Sequence, residues 1–229
     1  MRLIEEYLSI QGEGNHAGML TQFVRASGCA MRCFWCDSKY TWQKGRADYH
    51  KPVEEIVRSI DESRAVAVCL TGGEPLLQAA ECMELVDQLV NFGYYVSIET
   101  GGDQPVLPFT ELGIPKLSVC VDYKMPGSGM ADRMLLENFA SGVLSPYDCV
   151  KIVVANEADY LHAIKVLDQF PHLIDETVVY LHPLGAYKDG KVDMSENFRW
   201  LAERVIADCL PVKVGLQLHK IAWGNERKR

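Results

Sequence analysis

No apolar run in the 229 residues approaches the roughly 20 consecutive residues that a helix needs to cross a bilayer. The opening stretch, MRLIEEYLSI, is interrupted by Glu5 and Glu6 and so cannot act as the apolar segment of a secretory signal. Low-complexity tracts, charge blocks and linkers are also missing. No domain boundary is visible, and residues 1–229 read as one domain. Positive charge is in deficit, with 23 Lys and Arg against 31 Asp and Glu and a net charge of -8. That balance argues against non-specific nucleic-acid binding, whose affinity comes from cations that neutralise phosphates, although it leaves room for a locally basic pocket. With no membrane span and no export signal, a cytoplasmic location is expected, where thiols stay reduced.

What is present is an alternation of short β-rich runs with helical periodicity. Strand-like runs fall at Gln22–Arg25, Ala65–Leu70, Tyr95–Glu99, Leu117–Asp122, Val150–Val154, Thr177–Leu181 and Val212–Gln217. Between them Val53, Ile56, Val57 and Ile60 are spaced as one face of a helix, as are Leu85, Leu89 and Phe92. Leu161, Ile164 and Leu167 continue the pattern, followed by Phe198, Leu201, Val205 and Ile206, with helix starts at Asn156 and Ser195. Such alternation predicts an α/β fold with parallel strands, either doubly wound or a full or partial barrel.

Eight cysteines in a reducing compartment point to metal or redox chemistry wherever they cluster. Cys29, Cys33 and Cys36 form C-x3-C-x2-C in a loop after the first strand-like run. Three thiolates can hold a [4Fe-4S] cube and leave one iron open for S-adenosylmethionine (SAM). A zinc site would need a fourth ligand, for which His50 is the nearest candidate. Cys69, Cys82, Cys120, Cys149 and Cys209 are scattered and read as small buried hydrophobes. Gly72-Gly73-Glu74-Pro75 follows the next strand-like run; its glycines permit close approach of backbone to a ligand, and Glu74 offers an acceptor for an ammonium group. The same segment alone would also suit an ordinary turn.

The cysteine motif and the Gly-Gly-Glu-Pro loop, in this order, resemble the radical-SAM superfamily. Ser9-Ile10-Gln11-Gly12-Glu13-Gly14, Cys36-Asp37-Ser38, Asp122-Tyr123-Lys124 and Gln217-Leu218-His219-Lys220 narrow the resemblance to the 7-carboxy-7-deazaguanine synthase family. The resemblance spans residues 9 to 220. It implies a partial TIM-like barrel of the β6/α3 type, with six βα units. It also implies a carbon–nitrogen lyase of queuosine and deazapurine biosynthesis, a pathway that modifies tRNA. The reaction is contraction of 6-carboxy-5,6,7,8-tetrahydropterin to 7-carboxy-7-deazaguanine and ammonia. A 5′-deoxyadenosyl radical abstracts the C6 hydrogen and SAM is regenerated. Another radical-SAM enzyme, such as a glycyl-radical activase, is the alternative.

Residue roles follow by resemblance. Ile10, Gln11, Gly12, Glu13, Arg25, Thr71 and His219 would meet the pterin, with Arg25 on its carboxylate. SAM would lie against Trp35, Cys36, Asp37, Gly73, Glu74 and Glu99, then Asp122, Tyr123 and Lys124, and finally His182, Pro183, Leu184 and Gly185. Mg²⁺ would bind through Ser38, where many relatives carry Thr, and His182 stands where others carry Gln. Each has a plainer reading: a solvated loop acid for Glu13, a surface ion pair for Arg25, a turn hydroxyl for Ser38, a strand-end acid for Glu99 and a packing ring for His219. The family also implies a homodimer and an electron donor such as flavodoxin. In some relatives the C-terminus reaches the substrate, and here that segment is the polar Asn225–Arg229.

Overall fold

A computed structural model of the chain describes residues 1–42, 49–188, 191–193, 195–224 and 226–228, with 186–188, 191–193 and 195 described by backbone alone. The first strand, β1 (Arg2–Ile10), pairs antiparallel with β2 (Leu20–Ala26) and, on its other edge, with the short β3 (Tyr49–His50). Then come α1 (Val53–Ser63), β4 (Ala67–Gly72), α2 (Ala79–Asn91) and β5 (Tyr95–Thr100). A single turn, α3 (Leu107–Thr110), precedes β6 (Leu117–Asp122) and β7 (Cys149–Val154). The chain closes with α4 (Glu157–Gln169), α5 (Leu173–Glu176), β8 (Val178–Pro183), the hairpin β9 (Ala186–Lys188) and β10 (Lys191–Asp193), α6 (Ser195–Ala207), β11 (Lys213–Val214) and α7 (Leu218–Trp223).

The sheet runs β3-β1-β2-β4-β5-β6-β7-β8-β11, and every neighbour from β2 onward is parallel. Its two ends do not pair with each other, so the fold is an open, partial barrel. From β1 onward strand order follows chain order, as right-handed crossovers stepping one way demand of the parallel part. Alternation within each strand divides the sheet's two faces. Val68, Leu70, Val96, Ile98, Val119, Val121, Val150 and Ile152 join α1, α2 and α4 in the apolar core. The residues between them, such as Cys69, Ser97, Cys120 and Cys149, are small and buried on the other face, which leaves room there for a ligand.

The strand-like runs match β2, β4, β5, β6, β7 and β8 to within three residues, whereas the Val212–Gln217 run shrinks to the two residues of β11. The helical readings need finer correction. Phe92, Leu161 and Ile206 are exposed, and α4 instead buries Tyr160, Ala163, Val166 and Leu167. Asn156 does cap α4, its side-chain oxygen accepting from Asp159 N at 3.0 Å. Cys69, Cys82, Cys120 and Cys149 are buried as small hydrophobes, but Cys209 is exposed, at φ 49° beyond α6.

The strict βα alternation fails between β6 and β7, where the connection is made of 3-10 turns. Phe139 anchors this connection in the core: it is fully buried, with ring centroids 4.8 Å from Tyr123 and 6.1 Å from Phe170. Phe139→Ala should therefore destabilise the fold by about 3–5 kcal/mol, seen as a lower urea midpoint.

Candidate active site

The C-terminal ends of the parallel strands converge on one cavity of about 290 Å³. Such ends are where α/β barrels place their sites, because the loops that leave them are free of the packing that holds the strands. The cysteine loop leaves β2 there. Cys29 and Cys33 are buried, Cys36 is half-buried, and all three are free thiols on the cavity wall. Burial pushes the Cys29 thiol up to about 11 and the Cys33 thiol upward as well. Buried thiols of this kind ionise when a bound metal supplies the compensating charge. Among the described residues, no group of three His, Cys, Asp or Glu side chains could hold a single metal ion. A cube that binds each thiolate at a different iron fits the loop better than zinc does.

Two glycines seat this loop. Gly72 ends β4 at φ +142°, and a Cβ there would lie 2.4 Å from Ala26 O. At Gly73 a Cβ would lie 2.2 Å from Gly28 O and 2.9 Å from Cys29 Cβ. The backbones are then joined by Gly73 N donating to Ala26 O at 3.1 Å and Glu74 N donating to Gly28 O at 2.8 Å. Glu74 itself is fully buried and outside the cavity lining. Its carboxylate accepts from Leu76 N, Thr100 Oγ1 and Gly101 N at 2.7–3.0 Å, so it caps the Pro75–Gln78 turn and is not an open acceptor for an ammonium group. Burial pushes its carboxyl up to about 7, against the pull of those donors.

Ile10, Gln11, Glu13, Arg25, Thr71 and His219 all line the cavity, as do Trp35, Asp37, Ser38, Gly73, Glu99, Asp122, Lys124 and Leu184. Arg25 donates to Glu5 Oε1 at 3.0 Å, Tyr7 OH at 2.9 Å and Gly72 O at 3.5 Å. Five N–H donors less three leaves two for a ligand. Burial works against its charge, but Tyr7, Tyr40 and Glu5 more than offset that and hold the guanidinium ionised. Glu13 is buried between Lys151 Nζ at 2.6 Å and Gln217 Nε2; burial opposes its ionisation, yet Lys151, His182 and His219 keep its carboxyl well below the usual range. Gln11 Nε2 donates to Ser97 Oγ at 3.2 Å, and Thr71 Oγ1 to Glu99 Oε2 at 2.8 Å. Ser38 Oγ donates to Asp37 Oδ1 at 3.1 Å, and Lys220 pairs with Asp37 Oδ2 at 3.0 Å. Asp122 Oδ1 lies 3.1 Å from Lys151 Nζ, and Lys124 Nζ pairs with its other oxygen.

Six expected residues lie elsewhere. Gly12, Tyr123, Pro183 and Gly185 are outside the lining, with Glu74 and His182. Gly12 lets the His219 ring approach, since a Cβ there would meet its Nδ1 at 2.1 Å. Tyr123 packs on Phe139. His182 is 2% exposed against Gly215, with no hydrogen-bond partner on either ring nitrogen. Sequence reasoning missed Tyr7 and Lys151, both in the lining. The signal for Lys151 was alternation, since it is the one charged position on a strand face otherwise made by Cys149 and Val153. Glu226, Arg227 and Lys228 also line the cavity, with Arg227 Nε 2.7 Å from Glu5 Oε2, while Asn225 and Arg229 lie outside the described residues.

Comparison with known proteins agrees with this geometry. Residues 23–119 match the family described as the Radical SAM superfamily. Curated relatives include the 7-carboxy-7-deazaguanine synthases of Koribacter versatilis, 35% identical over 100% of this chain and 99% of that protein, and of Chlorobaculum tepidum, 34% identical over 100% and 96%. The chain belongs to the 7-carboxy-7-deazaguanine synthase family. In fold it is similar to the crystal structure of QueE from Escherichia coli, with a TM-score of 0.65 at 24% identity over 94% of this chain and 92% of that one. The glycyl-radical activase alternative finds no support among these relatives.

Gly73→Ala should drive the cysteine loop off its seat, and the anaerobically reconstituted variant should hold well under half the wild-type iron, with matching loss of visible absorption. A second expectation concerns acid. Burial lowers the His182 pKa from 6.5 to about 4, so the ring folds neutral while the unfolded chain takes up its proton between those values. Stability should then fall by about 3 kcal/mol as pH drops from 6.5 to 4, and His182→Gln should remove that part of the slope in denaturant titrations.

Proposed function

We propose that the protein converts 6-carboxy-5,6,7,8-tetrahydropterin into 7-carboxy-7-deazaguanine with release of ammonia, using SAM at a [4Fe-4S] cluster. The observation that carries this reading is a single cavity that gathers three free thiols, a charged arginine with two N–H donors to spare, and an ionised buried glutamate. Cys29, Cys33 and Cys36 would hold the cluster. Once bound, the cluster supplies the electron that opens SAM; the protein contributes position, charge and exclusion of water.

Trp35, Asp37, Gly73, Glu99, Asp122, Lys124 and Leu184 line the part of the cavity assigned to SAM, and the Asp122 carboxylate, held by Lys124 and Lys151, would accept from a ribose hydroxyl. Arg25 would take the pterin carboxylate, its charge held by Glu5 and the two tyrosines. Gln11 and Glu13 would read the ring's amide and guanidine-like edge, with Ile10, Thr71 and His219 beside them. Mg²⁺ would bind through Ser38 together with water and substrate oxygens, next to the Asp37 carboxylate, which Lys220 holds ionised against the desolvation of its site. A flavodoxin-type donor would approach the cysteine loop where Phe34 is 72% exposed. Exposed Leu20, Val66 and Tyr95, at the starts of β2, β4 and β5, suit a homodimer contact, and the pathway places the enzyme in the cytoplasm.

Anaerobic reconstitution with SAM, reductant, Mg²⁺ and the pterin should yield 7-carboxy-7-deazaguanine by mass spectrometry. Production of 5′-deoxyadenosine without that product would retain radical-SAM chemistry and reject the substrate. Arg25→Gln should lower kcat/KM by roughly tenfold to a hundredfold, the effect of losing a charge-assisted contact to a carboxylate.

A further inference from the structure

Lys151 sits midway along β7, where Val150, Ile152 and Val154 join the apolar core while Lys151 and Val153 turn to the cavity. Its side chain is only 13% exposed. The ammonium group contacts two carboxylates from different parts of the chain: Glu13 Oε2, from the loop after β1, at 2.6 Å and Asp122 Oδ1, at the end of β6, at 3.1 Å. Gln217 Nε2 holds the other oxygen of Glu13, and Lys124 pairs with the other oxygen of Asp122. A row of five polar side chains therefore crosses the cavity wall, and Lys151 is its central member.

The arrangement is not required for packing, since an apolar side chain would fill the same strand position. What an apolar side chain would not do is balance two buried acids. With Lys151 the four charged groups sum to zero; without it they carry one uncompensated negative charge. Asp122 would keep Lys124, so the deficit falls on Glu13, whose remaining neighbours are Gln217, His182 and His219. A buried carboxyl in that state takes up a proton and becomes a donor in place of an acceptor.

We propose that Lys151 is the positioning residue for substrate recognition, holding the Glu13 carboxylate charged and oriented to accept from the amino-amide edge of a pterin-type ring. This rests on the pterin reading above. The contact with Asp122 sets Lys151 between the substrate side of the cavity and the cofactor side, where Lys124 holds Asp122 in its own right.

The test is equilibrium binding of 6-carboxytetrahydropterin to the reconstituted full chain with SAM and no reductant, so that nothing turns over. Lys151→Met should raise the Kd about ten- to hundredfold, and Lys151→Arg should recover most of the loss. In turnover the Lys151→Met effect should appear mainly in KM, with SAM affinity and iron content near wild type. Glu13→Gln should weaken binding comparably, and adding Lys151→Met to it should cost little more, because both act through one carboxylate. Should Lys151→Met not fold, the double variant, which removes both charges together, decides the matter against Glu13→Gln alone. Wild-type pterin affinity in Lys151→Met, or losses that add in full in the double variant, would overturn the proposal. A wild-type protein that binds no pterin would instead reject the substrate reading, and the proposal with it.

Discussion

The site depends on a close approach of two backbones. The chain that leaves β4 must pass within hydrogen-bonding distance of the chain that leaves β2, and only glycine at 72 and 73 allows it, since a Cβ at either position would sit under 2.5 Å from a backbone oxygen. That contact fixes Gly28 and so the start of the cysteine loop. It also explains Glu74. Once the two glycines have turned the chain, a buried acceptor is needed for Leu76 N, Gly101 N and the Thr100 hydroxyl, and the glutamate supplies it. The Gly-Gly-Glu-Pro signature is therefore built as much for joining three strand ends as for touching a ligand.

Charge is the second constraint. A chain of net charge -8 lines its cavity with Arg25, Lys124, Lys151, Lys220 and Arg227. Each of these cations meets a carboxylate: Arg25 and Arg227 share Glu5, Lys124 and Lys151 share Asp122, and Lys220 takes Asp37. Pairing of this kind keeps long side chains in one place and keeps both partners ionised in a poorly hydrated space. The cavity is thus pre-organised for a polar, charged ligand before one arrives, which lowers the ordering cost of binding.

Much of this was legible in the sequence because it rests on short-range rules. The parallel strands are short β-rich runs in which every second residue is apolar, and the cysteine spacing and glycine pair are local motifs. What the sequence does not display is any placement whose deciding contact is remote. His182 and Tyr123 stand beside motif positions, yet their side chains turn into the interior, one against Gly215 and the other against Phe139. Lys151 carries no motif at all; its meaning appears only when the sheet brings Glu13 and Asp122 to it. The β6–β7 connection showed no helical periodicity, and Phe139 anchors it by packing on Tyr123 and Phe170.

The opening strand shows the same limit from the other side. MRLIEEYLSI was informative as a sequence only for what it excludes, since Glu5 and Glu6 break its apolar character. In the fold those acids find partners on the two faces of a strand that lies between β2 and β3. Glu5 is 2% exposed and receives Arg25 from β2, Tyr40 from the cysteine-loop side and Arg227 from the C-terminal segment. Glu6, half-buried, receives Lys51 Nζ at 2.8 Å and Tyr49 OH at 2.9 Å. Successive side chains on a strand point to opposite faces, so one acid serves the cavity and the other serves the outside. An antiparallel strand added to a parallel sheet carries its own C-terminal loop, residues 11–13, to the N-terminal ends of the parallel strands, on the side of the cavity away from the cysteine loop. That geometry lets Gln11 and Glu13 face Ser97 and Lys151 across the sheet, which no βα unit within the parallel run could achieve.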